Sequence, residues 1–159
     1  MGSNNFQRIG SISNAHVGRD FESAVQEYFR QQGILLNSNF SVPVGVFAEK
    51  KNRQFDLGSE KPPVIVECKS HCWTAGGNVP SAKVTVWNEA MYYFYLAPSR
   101  FRKVLFVLRD FSRKRQETLA GYYVRSYAHL IPRDVEIMEY EEKSGQVMAI
   151  LTRGSIRFV

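Results

Sequence analysis

Cysteine is scarce in these 159 residues, with only Cys68 and Cys72 present. Two thiols cannot build a disulfide framework, so the fold must rest on packing, and a reducing, cytoplasmic setting is expected. His71 lies between them. Three candidate ligands packed so closely, with no second pair downstream, argue against a zinc centre. Long apolar runs are missing as well: no stretch of about 18 apolar residues occurs, so neither a transmembrane helix nor a membrane partner is expected. Met1 to Asn14 is polar and lacks the apolar stretch of a secretory signal. Repeats, low-complexity tracts and linkers are also absent, which leaves one domain over residues 1–159. Histidine occurs only at positions 16, 71 and 129, in no Ser–His–Asp or His–metal pattern.

Positive charge and aromatic rings are in good supply. The net charge is +6 and the pI about 9.4, which favours a polyanionic partner, nucleic acid before membrane. Arg100, Arg102, Lys103, Arg109, Arg113, Lys114 and Arg115 concentrate this charge, with Asp110 the only acid among them. Such a cluster either tracks a phosphate backbone or is a solvated face. Aromatics make up 13% of the chain, enough for a well-filled core or for surfaces that touch bases.

Hydrophobic patterning predicts a mixed sheet flanked by helices. Phe21, Ala24, Val25, Tyr28 and Phe29 form one helical stripe, which Gly33 closes. Strands are expected at residues 34–37, 40–47 and 53–57, and at 64–69, where Val64-Ile65-Val66 marks a buried central strand. A loop around Gly76-Gly77-Asn78 leads to a second helix, Ser81 to Leu96, with Ser81 as N-cap, Pro98 as stop and Val84, Trp87, Met91 and Phe94 inward. Tyr92 and Tyr93 read as packing residues on it. A buried strand over 103–108, a third helix over 116–131, and strands at 135–140 and 147–152 complete the order. Leu119, Tyr123, Tyr127 and Leu130 line one side of that third helix.

Chemistry concentrates on the 64–69 strand. Side chains alternate there, so Ile65, Glu67 and Lys69 share one face while Val64, Val66 and Cys68 share the other. Charge at the end of a core strand is costly unless it is paired or bound to metal. Asp56 ends the preceding strand, and a hairpin would bring it beside Glu67. Two carboxylates with an adjacent backbone carbonyl, that of Cys68, suit Mg²⁺, or Mn²⁺ in its place. A metal-bound water can attack a phosphodiester, and Lys69 can orient or help deprotonate it and stabilise the transition state. Ser81 and Lys83 open the next helix, where they either meet a phosphate or stay solvated.

Asp56 followed by Glu67-Cys68-Lys69 resembles the signature of the PD-(D/E)XK nuclease superfamily, which includes restriction endonucleases and Holliday-junction resolvases. The resemblance covers about half the chain and implies a core of helix, three-stranded meander, helix and strand over roughly residues 16–110, with residues 111–159 as a C-terminal elaboration. Phe55 stands where Pro often precedes the Asp. The second helix is faintly similar to the Gln-x-x-x-Tyr element of one branch, but the Gln is missing. The resemblance also implies a first-helix Glu at the metal. Glu22, at the border of the buried stripe, is the best match, with Asp20 and Glu27 as competitors. The function so implied is a Mg²⁺-dependent DNA endonuclease, a homodimer where both strands are cut. Arg113, Lys114 and Arg115 would hold DNA together with Ser81 and Lys83. The alternatives are a non-catalytic nucleic-acid-binding module on the same fold and an unrelated basic α/β scaffold.

Overall fold

The computed structural model describes residues 6–153, with the side chains of residues 6–17 and 19 left aside. Helix α1 (Phe6–Gln31) leads into β1 (Asn37–Val44), β2 (Lys51–Glu60) and β3 (Pro63–Lys69). Helix α2 (Ser81–Leu96) then crosses to β4 (Arg102–Leu108). A small hairpin, β5 (Phe111–Ser112) with β6 (Glu117–Thr118), precedes α3 (Leu119–Tyr127), and β7 (Val135–Tyr140) and β8 (Val147–Leu151) follow. The main sheet is six-stranded, in the order β1-β2-β3-β4-β7-β8. Its first three strands form an antiparallel meander, β3, β4 and β7 run parallel, and β8 returns antiparallel. The architecture is therefore a mixed α/β sheet flanked by helices.

Two apolar layers fix which helix covers which face. Val64 and Val66 pack with Phe21, Val25 and Phe29 of α1. Ile65 packs with Val84, Trp87, Met91 and Phe94 of α2 and with Leu119 and Tyr123 of α3. The alternation expected along β3 thus separates the α1 side from the α2 side. Gly33 closes α1 with φ +78: Ile34 N–H reaches Phe29 O at 3.0 Å and Gly33 N–H reaches Arg30 O at 2.9 Å. That double closure needs a left-handed residue, which glycine supplies without strain.

Several boundaries depart from the expectations. The segments 34–37 and 40–47 are one strand, Asn37–Val44, and Phe47 lies beyond it in the loop to β2. Asn39 at φ +52 interrupted the alternation and hid the continuity. The third helix starts at Leu119 rather than at residue 116, because Thr118 is the true cap, its hydroxyl accepting from Gly121 N–H. Gln116 instead sits at φ +56 in the β5–β6 turn. Ser81 does not cap α2; Pro80 holds that position with no side-chain bond, and Ser81 is the first helical residue. Tyr92 is 54% exposed, so it is not the packing residue its position suggested, and Leu130 is exposed below α3.

Candidate active site

The parallel strands β3, β4 and β7 end together, and the loops that follow them share this end, as does the start of α2. Open α/β sheets characteristically place ligands at such strand ends. The β2–β3 ladder stops at Leu57↔Val66. One step further, Asp56 takes over a role that a backbone carbonyl would fill: Cys68 N–H donates to its Oδ2 at 2.7 Å. Strict alternation would put Phe55 and Leu57 on one face. Phe55 nevertheless packs on the α2 side and Leu57 on the α1 side, so the β2 ribbon turns over at Asp56. This twist aims the carboxylate between the strands, toward Cys68.

Glu67 is 1% exposed on the α2 side of β3. Lys69 Nζ donates to its Oε2 at 2.7 Å and lies 3.9 Å from Asp56 Oδ2. Arg53, on β2, contacts Glu67 Oε1 at 3.4 Å and stacks its guanidinium 4.2 Å above the Tyr93 ring. Burial pushes the Glu67 carboxyl above its usual range, against the pull of Lys69 and with the added repulsion of Asp56. Burial works to discharge Lys69, but the Glu67 and Asp56 carboxylates outweigh it and hold the ammonium charged. Glu22 reaches the same group from α1: half-buried, it is pushed up by burial and then by Asp56, with Lys69 acting in the opposite sense. Asp56, Glu67 and Lys69, named from sequence, therefore gather at one place, and Glu22 lies near enough on α1 to feel their charges. Cys68 packs toward α1 between them, and burial pushes its thiol well above the usual range.

Arg53 was missed, whereas His71 stands out in the sequence by its nearness to Lys69 and reads there as a satisfied structural histidine. No motif flags Arg53, because its partner Glu67 stands on the next strand. Trp87 Nε1 donates to His71 Nδ1 at 2.9 Å, which leaves Nε2 as the protonated nitrogen of a neutral ring. Burial, then Lys83 and Lys69, lowers the His71 pKa to about 4. Only the fold reveals that tautomer, since Trp87 is on α2 and His71 in the loop before it.

The basic residues divide. Arg113 and Lys114 are exposed at the β5–β6 turn, near the strand ends. Lys114 reaches Gly76 O at 3.4 Å, whereas Arg115 is engaged by Gly77 O at 2.9 Å and the Trp73 ring at 5.0 Å. Asp110 pins the same loop, accepting from Trp73 N–H at 2.7 Å. Lys83 is exposed on the first turn of α2, but the backbone N–H groups of Ser81, Lys83 and Val84 are bonded to Val79 and Pro80 carbonyls. A phosphate at this helix would meet the Lys83 side chain more than the helix terminus.

Among the described residues, no three His, Cys, Asp or Glu side chains are grouped to hold a metal ion. No described helix is long and apolar enough to cross a membrane. No family model, curated protein or solved structure matches the chain.

Proposed function

We propose that this protein is a metal-dependent endodeoxyribonuclease of the PD-(D/E)XK kind. The observation that carries the reading is the convergence of Asp56, Glu67 and Lys69 at one strand end, with Lys69 Nζ 2.7 Å from one carboxylate and 3.9 Å from the other. The order helix, antiparallel meander, crossover helix, parallel strand in α1 through β4 supports it further. The donor set suits Mg²⁺ or Mn²⁺, because all the candidate ligands are hard oxygens and the Lys69 ammonium already sits as a cation between two of them. Asp56, Glu67 and the Cys68 carbonyl would hold the ion, with Glu22 adding charge from α1. The ion would supply an activated water and neutralise charge developing on the phosphate.

The chain's own residues then have distinct tasks. Lys69, kept charged by its neighbours, donates to the attacking water or to a phosphate oxygen as negative charge grows there. Asp56 both faces the site and ends the β2–β3 ladder, so it ties the position of β3 to the reaction. Arg113, Lys114 and Lys83 offer exposed positive charge at the same end of the sheet for backbone phosphates. Two copies would be needed to cut both strands at once. The experiment is cleavage of duplex, branched and single-stranded DNA with Mg²⁺ and with EDTA. Mg²⁺-dependent products support the reading. Binding without cleavage would instead favour a non-catalytic nucleic-acid module.

A further inference from the structure

The β1–β2 hairpin runs out beyond the site. Its ladder extends from Asn37↔Gly58 to Val44↔Lys51, and residues 45–50 close it. Lys51 stands five positions before Asp56 on β2. At the rise of an extended strand the tip lies ~17 Å or more past the carboxylates, on the side where β3 ends. The loop there is not a plain solvated turn. Phe47 is 83% exposed and Val46 62% exposed, with Lys50 and Lys51 exposed beside them. The loop is nevertheless built: Lys50 Nζ donates to Gly45 O at 2.7 Å, and a β carbon at Gly45 would collide with the Glu49 carbonyl. The loop thus has a fixed shape and carries two neighbouring exposed apolar side chains, Val46 and Phe47.

Arg53 stands at the root of the same hairpin with capacity to spare. A guanidinium has five donors. Among the described residues it hydrogen-bonds Glu67 at a long 3.4 Å, its plane is braced on Tyr93, and its buried Nε has no partner. Those donors fit an acceptor with several oxygens arriving beside the carboxylates.

We propose that the β1–β2 hairpin is an arm that holds duplex DNA across the site, with Arg53 on a phosphate beside the carboxylates and Phe47 in the groove beyond. This deepens the nuclease reading and rests on it for the choice of partner. Charge supports that choice, since Lys50 and Lys51 at the tip have Glu49 as the one acid within residues 45–51. Lys51 is ~17 Å along, half of the ~34 Å helical turn, and Phe47 lies in the loop beyond it, so Phe47 meets the DNA about 5 base pairs or more from the scissile phosphate. Apolar wedges used in this way unstack a base step, with lysines on the flanking phosphates.

The test uses the full chain and duplexes carrying 2-aminopurine at single positions, with Ca²⁺ in place of Mg²⁺ so that the DNA stays intact. The parent should raise fluorescence at positions about 5 base pairs or more from the cut mapped with Mg²⁺. Phe47→Ala should abolish that rise and weaken binding about tenfold with an unchanged salt slope, since no charge is lost. Lys50→Ala with Lys51→Ala should instead flatten the slope by about 1.8. Phe47 is exposed, so its replacement leaves the core intact. If Phe47→Ala binds and unstacks DNA like a cleaving parent, the arm is wrong and the nuclease reading stands. Phe47-dependent binding to phosphatidylserine vesicles, or Phe47-dependent dimerisation with DNA binding unchanged, also overturns the arm. Phe47-dependent unstacking by a parent that never cleaves upholds the arm and overturns the nuclease reading, while a parent that binds no DNA overturns both.

Discussion

Where β3 and β4 begin, Arg100, Arg102 and Lys103 each meet an acid. Arg100 bonds Glu60 at 3.2 Å, Arg102 bonds Glu136 through two contacts of 3.0 and 2.9 Å, and Lys103 bonds Asp134 at 2.6 Å. Where the same strands finish, Arg109 is held by Glu139 at 3.1 Å, but the remaining charge is gathered without being settled in this way. Lys69 is shared by two carboxylates, Arg53 keeps a buried donor unused, and Lys51, Lys83 and Arg113 are exposed. One strand explains the split. β4 is seven residues long, ~23 Å of extended chain, so the run from Arg100 to Arg115 is divided between opposite ends of the sheet. On the proposed function, the paired charge at the first end stabilises the fold, and the exposed charge at the second end meets DNA.

Substitutions at the two ends should separate these roles. The largest effect is expected from Lys69→Ala, which should lower single-turnover cleavage by ~10²–10⁴-fold with duplex affinity little changed. Arg102→Met, at the other end, should leave the cleavage rate alone. It should instead cost about 1–3 kcal/mol of stability, because Glu136 loses its partner in a mostly buried place. Urea midpoints measured beside cleavage rates check both halves. The reciprocal case is Arg113→Ala with Lys114→Ala: stability within about 0.5 kcal/mol of the parent, and a salt slope for DNA binding flatter by about 1.8. A large stability loss there would erase the contrast between the ends.

Smaller effects sharpen the picture of the site itself. Glu22→Gln should weaken Mg²⁺ binding by about tenfold, as outer partners of a metal commonly do, and calorimetric titration reads it. His71 should give a modest pH dependence of stability. Its folded pKa of about 4 lies below the ordinary 6.5. Between these values the unfolded chain binds a proton that the folded one does not, so stability falls as pH drops from about 6.5 to about 4 and levels off below. Above that window His71 contributes no slope. His71→Asn should remove this part of the acid sensitivity, visible as a flatter pH profile of the urea midpoint between about 6.5 and about 4. The same low pKa means that cleavage should show no titration from His71 near neutrality.

Much of the frame was legible because period and spacing carry it. Val64-Ile65-Val66 marked a central strand, so Glu67 and Lys69 stood out as charges in a core element, and the stripe from Phe21 to Phe29 placed Glu22 on the helix beside them. What escaped depends on contacts between residues remote in sequence. Arg53 meets Glu67 only across two strands, and His71 takes its tautomer from Trp87 on the next helix. The β5–β6 hairpin has strands of two residues, too short for any period to register, so Gln116 and β6 were absorbed into the third helix. Phe47 looked like the end of a strand because aromatic residues favour strands. Only the register shows it beyond the last pair, Val44↔Lys51.

On the proposed function, Asp56 and Lys69 serve one metal-dependent reaction in different capacities. Single-turnover cleavage of duplex DNA across a series of Mg²⁺ concentrations tests it most directly. Asp56→Asn replaces an anionic ligand with a neutral one, so its cleavage should recover in part as Mg²⁺ rises. Lys69→Ala leaves the ligands in place, so it should remain slow at every concentration. Cleavage by both variants at the parent's rate would contradict the assignment of the site.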